Sequence, residues 1–108
     1  MLWKVQKMVE YIESNLDQQL TLDAIAGSVR LSRSRMCHLF RTQTGIAPWR
    51  YLQVRRMEKA RNLLDSTSLS VKEVRASVGL QDRSHFVREF KKAYGTTASR
   101  YRANGISV

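Results

Sequence analysis

The chain has 108 residues, 43% of them hydrophobic, with 19 Lys and Arg against 9 Asp and Glu for a formal charge of +10 at pH 7. That length fits one compact unit, and no run approaches the roughly 18 apolar residues of a membrane span. The opening Met1 to Val5 runs into an amphipathic pattern without a signal-peptide core, Cys37 alone cannot form an internal disulfide, and two histidines with one cysteine make no zinc set. A fold held by its apolar core alone, in a reducing cytoplasm and off the membrane, is expected. Val5, Met8, Val9, Ile12 and Leu16 recur with helical period and predict a first helix over about residues 3–16. Thr21 caps a short helix bearing Leu22, Ile25, Ala26 and Val29, and Ser32 caps a third with Met36, Leu39 and Phe40 inside. Gly45 and Pro48 end that helix and open the next, which runs over residues 49–65 without Gly or Pro and bears apolar residues on more than one stripe. Ser70 and Glu73 form a capping box for a fifth helix carrying Val71, Val74 and Val78. Asp82 caps a sixth with Phe86 and Phe90 inside, and Thr97 begins a last short helix ending near Tyr101. No segment alternates with strand period, so the fold class is all-α with about seven helices.

Two further patterns carry the functional argument. Residues 1–23 have a net charge of −2, whereas residues 30–61 hold nine basic side chains against Glu58 alone, a net +8. Such a stretch repels itself unless an anion faces it, and nucleic acid, an anionic membrane or plain solvent are the candidates. The second pattern is an internal repeat. Leu22, Ile25, Val29 and Leu31 return 49 positions later as Val71, Val74, Val78 and Leu80. Arg33, Ser34, Met36, Phe40, Gly45 and Tyr51 return 50 positions later as Arg83, Ser84, Phe86, Phe90, Gly95 and Tyr101. Each copy is a short helix, a tight turn and a longer helix, the order of a helix-turn-helix. This divides the chain into a first helix-turn-helix over residues 1–48, a linker helix over 49–65 and a second helix-turn-helix over 66–108.

In such a motif the second helix offers its outward face to the DNA major groove. Ser34, His38 and Arg41 form one outward line, and Ser84, Arg88 and Lys91 repeat it. Arg33, Arg35, Arg83, His85 and Lys92 flank the two lines within reach of groove or phosphate. Arg88 can fork onto the two acceptors of guanine, whereas the serines pair with several bases and specify weakly. Trp3 and Trp49 are expected as core or interface anchors rather than base platforms. His38 and His85 fall in different copies and make no metal or catalytic pair. No Ser/His/Asp order, phosphate loop or carboxylate dyad is present, so nothing in the pattern calls for an enzyme, a metal or a cofactor. Two other classes fit the charge: an architectural protein coating DNA without sequence choice, and a helical adaptor for an acidic protein. The adaptor has no reason to duplicate an exposed polar line.

These residues resemble the DNA-binding domain of AraC/XylS-type transcription regulators over nearly the whole chain, from about Val5 to Arg102. The resemblance rests on Leu31-Ser32-Arg33-Ser34-Arg35-Met36, Leu39-Phe40-Arg41 and Gly45 in the first motif. Ala60 to Leu64, Val78-Gly79-Leu80, Phe86, Arg88, Phe90-Lys91-Lys92, Gly95 and Tyr101-Arg102 carry it in the second. It implies two helix-turn-helix units on one long helix, binding a single asymmetric site as a monomer and activating transcription through contact with RNA polymerase. By position it implies base contacts from Ser34, Cys37 and His38 in the first unit and from Ser84, His85 and Arg88 in the second. Arg33, Arg35, Arg41, Arg83, Lys91 and Lys92 would then hold phosphates. Three positions depart from the family pattern: Arg75 replaces a small residue, Arg30 a glycine and Ala98 a proline. Arg75 is expected to reach solvent or an acidic partner.

Overall fold

Side-chain caps set where the helices start. In the computed structural model, which describes residues 2–106, the helices are α1 (Leu2–Ser14), α2 (Leu22–Ser28), α3 (Arg33–Thr44), α4 (Pro48–Ser66), α5 (Val71–Ser77), α6 (Arg83–Tyr94) and α7 (Ala98–Ile106), with no strand among the described residues. Thr21 Oγ1 accepts from the Ala24 amide at 3.1 Å and Ser32 Oγ from the Arg35 amide at 3.2 Å. At α5 the Ser70 hydroxyl accepts from the Glu73 amide at 3.1 Å while the Glu73 carboxylate accepts from the Ser70 amide at 2.9 Å. Asp82 accepts from the His85 amide at 3.1 Å to start α6. Each such cap satisfies amides a helix start leaves free, and a hydroxyl cap such as Thr21 or Ser32 is worth about 1 kcal/mol. Gly45 and Gly95, with φ of 85° and 77°, end α3 and α6 in the left-handed conformation that only glycine adopts without strain. The long helix begins one residue earlier than its sequence pattern, at the proline. The last helix does not stop near Tyr101: Tyr101 and Arg102 are anchored to α4 and its following loop, and the helix runs on to Ile106.

The caps of the two halves differ chemically. Those of α2 and α3 are hydroxyls alone, whereas α5 adds the Glu73 carboxylate to its Ser70 hydroxyl and α6 is capped by the Asp82 carboxylate. The backbone amide of Ser70 holds Glu73 below its ordinary pKa, and the backbone amide of His85 does the same for Asp82. A folded pKa below the unfolded one gives stabilisation that is present above the ordinary carboxylate range and lost as pH falls through the folded value. In an NMR titration the Ser70 and His85 amides are therefore expected to shift with midpoints below that range, while the Arg35 amide, held by a hydroxyl, stays flat. Ordinary or raised midpoints at Ser70 and His85 would contradict the assignment.

The chain divides into two compact units, Met1–Gln53 and Val54–Val108, rather than one. In the first, Met8 and Ile12 of α1, Ile25 of α2, Met36 and Phe40 of α3 and Leu52 of α4 are fully buried together. In the second, Met57, Ala60 and Leu64 of α4 pack with Val74, Val78, Phe86 and Phe90. The helix α4 thus supplies both cores, which is why its apolar residues occupy more than one stripe. The duplication extends to a polar tie in each unit. Tyr51 donates its hydroxyl proton to Glu13 at 2.9 Å, and Tyr101, its repeat partner, donates to Asp65 at 2.8 Å. Trp3 and Trp49 are not core residues; they are 57% and 43% exposed.

Between the helices of each motif the chain turns through one left-handed residue, Gly79 (φ 75°) in the second and Arg30 (φ 58°) in the first. The turns share their hydrogen bonds: Arg30 N–H to Gly27 and Leu31 N–H to Ala26 in one, Gly79 N–H to Ala76 and Leu80 N–H to Arg75 in the other. A side chain in that conformation costs about 1–2 kcal/mol, offset in part by the larger unfolded-state entropy of glycine. Arg30→Gly is expected to stabilise the first unit by about 0.5–1 kcal/mol. Urea unfolding followed by tryptophan fluorescence reports on it, since Trp3 and Trp49 both lie in that unit. No gain, or a loss, would contradict the strain argument.

Candidate nucleic-acid interface

The outward sides of α3 and α6 hold the residues singled out in the sequence. Met36 and Phe40 anchor α3 inward, which turns Ser34, His38 and Arg41 to solvent. Phe86 and Phe90 do the same for α6, and Ser84, Arg88 and Lys91 are exposed in the matching register. Arg35 and Lys92 are exposed beside them, and His85 is half-buried on the first turn of α6, its amide held by Asp82. Cys37 is half-buried and packs on the first core, so the sulfur sits on the shoulder of the line rather than at its crest. Its repeat partner, Val87, is 38% exposed. Sequence reasoning passed over Val87, although the offset of 50 from Cys37 points straight to it. An exposed valine on a reading face offers apolar contact to a thymine methyl.

The flanking cations are not alike. Arg33 Nε lies 3.2 Å from Asp23 Oδ1, tying the start of α3 to α2 with both side chains largely exposed. Arg83 is exposed and lines a cleft of about 390 Å³ with Lys72, Val87 and Ser99. A second cleft of about 330 Å³, lined by Leu31, Ser34, Arg35, His38 and Leu39, runs along α3. Arg75 meets neither solvent alone nor an acid. Its guanidinium donates to the carbonyls of Leu80 and Gln81, so it braces the turn before α6 from within the motif. Among the described residues no group of three or more His, Cys, Asp or Glu could hold a metal, and no helix is long and apolar enough to cross a membrane.

A family model described as a helix-turn-helix domain matches residues 25–104. The chain is also 29% identical to a transcriptional regulator of the AraC-type DNA-binding class from Chromobacterium violaceum, with a TM-score of 0.84 over 94% of this chain and 91% of that one. The chain belongs to the AraC-type helix-turn-helix family. Among AraC-type relatives, the arabinose operon regulatory protein of Escherichia coli is 36% identical over 101 residues, covering 93% of this chain and 35% of that protein. The chain thus spans about a quarter to a third of the length of the curated relatives it matches. The DNA-binding domain of AdpA, a global transcriptional factor solved in complex with a target DNA, superposes with a TM-score of 0.89 at 27% identity, over 95% of this chain and 93% of that one.

Proposed function

We propose that this chain reads a specific sequence of double-stranded DNA and regulates transcription, with α3 and α6 each entering a major-groove segment of one asymmetric site. The observation that carries this reading is the duplicated exposed line, Ser34, His38 and Arg41 on α3 and Ser84, Arg88 and Lys91 on α6, each set on the second helix of a helix-turn-helix. In this reading Ser34, Cys37 and His38 face bases in one segment. Ser84, His85 and Arg88 face them in the other, with Val87 beside them on thymine methyls. Arg88 is the chief specifying group, because a guanidinium forks onto guanine and discriminates by about 1–3 kcal/mol. Arg33, Arg35, Arg41, Arg83, Lys91 and Lys92 hold phosphates and fix register without choosing sequence. Two reading helices in one chain remove the need for a two-fold partner, so a monomer occupies the site. Activation through RNA polymerase, in a bacterial cytoplasm, is the regulatory mode that family membership favours.

Competition separates this from a DNA coat without sequence choice. A duplex enriched from random sequence should hold the chain about a thousandfold or more tighter than a scrambled duplex at the same salt concentration. Equal affinity for the two would overturn the reading in favour of an architectural protein.

A further inference from the structure

The two motifs are not equivalent at the corner where the first and second helices meet. In the first unit Asp23 on α2 neutralises Arg33 on α3 at 3.2 Å. In the second, the position of Asp23 is taken by Lys72, 49 residues on, while Arg33 keeps its partner type as Arg83, 50 residues on. The internal ion pair has become two cations lining one cleft of about 390 Å³, and no acidic side chain lines it with them. Thr97 and Ser99, the latter where the first unit has Trp49, line the same cleft, as do the apolar side chains of Phe86 and Val87. Thr97 Oγ1 accepts from the Arg100 amide at 3.3 Å, which leaves its own proton free to donate. Arg75 also lines the cleft, with its Nη1 donating to the Leu80 and Gln81 carbonyls, and adds a third positive charge there.

We propose that this cleft is a phosphate site, in which Lys72 and Arg83 supply charge and the Thr97 and Ser99 hydroxyls supply directed hydrogen bonds to one phosphate group. Cations and hydroxyls converging from three helices match a group with several strong acceptor oxygens. The DNA backbone is the source at hand, because Arg83 and Val87 lie on α6 itself, beside its reading line, and in this respect the inference rests on the function proposed above. The first unit, with its corner closed by Asp23, has no such site. The second unit therefore carries one more phosphate contact than the duplication alone would give it.

The test is the salt dependence of binding to the enriched duplex, for the wild-type chain and for Lys72→Asp, which rebuilds the pairing of the first unit. An acid in the first turn of α5 suits the helix, so the variant keeps its fold, as a circular dichroism melt would verify. Each lost phosphate contact lowers the slope of log affinity against log salt by about 0.9. Lys72→Asp should lower it by about 1–2, since it also occupies Arg83, and leave the preferred sequence unchanged. Tight, specific binding with an unchanged slope would overturn the cleft while leaving DNA reading intact. If the wild-type chain binds no duplex, the DNA reading fails and inorganic phosphate decides the cleft by NMR titration at constant ionic strength. Saturable shifts at Lys72, Arg83, Thr97 and Ser99 that vanish in Lys72→Asp would uphold it as a free-phosphate site, and their absence would overturn it.

Discussion

Phe90→Ala is expected to destabilise the second unit by about 3–5 kcal/mol. Phe90 is fully buried, with its ring centroid 4.9 Å from that of Tyr94 and 5.9 Å from those of Phe86 and Tyr101. Removing the ring loses its burial and leaves a cavity that three neighbouring rings on two helices cannot close. A unit of this size is held by only roughly 3–8 kcal/mol, so most of its stability goes. The buried clusters of the two units share no residue. Hydrogen exchange should therefore show α5, α6 and α7 losing protection while α1, α2 and α3 keep theirs. Loss in both units together, or in neither, would contradict two separately stabilised units.

Arg102→Ala should cost the same unit about 2–3 kcal/mol. The guanidinium donates to the carbonyls of Leu64 at 3.4 Å, Thr67 at 3.2 Å and Leu69, and so clamps α7 onto the end of α4 and the loop that leads to α5. The last carbonyls of a helix have no partner within it, and the arginine gives charge-assisted bonds to one of these, Leu64, and to two carbonyls of the following loop, Thr67 and Leu69. Arg102→Lys should recover only part of the loss, because a single ammonium cannot span three acceptors as the planar guanidinium does. Chemical unfolding of the two variants measures this, and full rescue by lysine would show that charge alone is required.

The helix starts, the turn glycines and the outward lines of α3 and α6 were legible because each depends on neighbours a few residues apart. Thr21, Ser32, Ser70 and Asp82 cap amides three positions on, and the inward pull of Met36 and Phe40 determines where Ser34 and His38 face. What escaped depends on the path of the chain. Tyr51 finds Glu13 across 38 residues and Tyr101 finds Asp65 across 36, contacts that no local spacing encodes. Arg75 is tolerated because the turn brings the Leu80 and Gln81 carbonyls back to it. The repeat itself misleads at Arg102, whose partner 50 residues earlier is Leu52, a fully buried apolar residue. Of the two places their size suggests for Trp3 and Trp49, a core or an interface, neither reaches a core.

Base-specific reading by both units of one chain is the central claim, and parallel selection from random duplexes tests it directly. Wild-type chain, Ser34→Ala with His38→Ala, and Arg88→Ala are each carried through selection at one salt concentration. The wild-type chain should enrich one asymmetric site with two informative segments. The α3 variant should relax one segment, and Arg88→Ala the other, at a cost of about 1–3 kcal/mol on the wild-type site. An Arg88→Ala protein that enriches the unchanged wild-type site, or a palindrome on which both variants relax the same positions, would contradict the account.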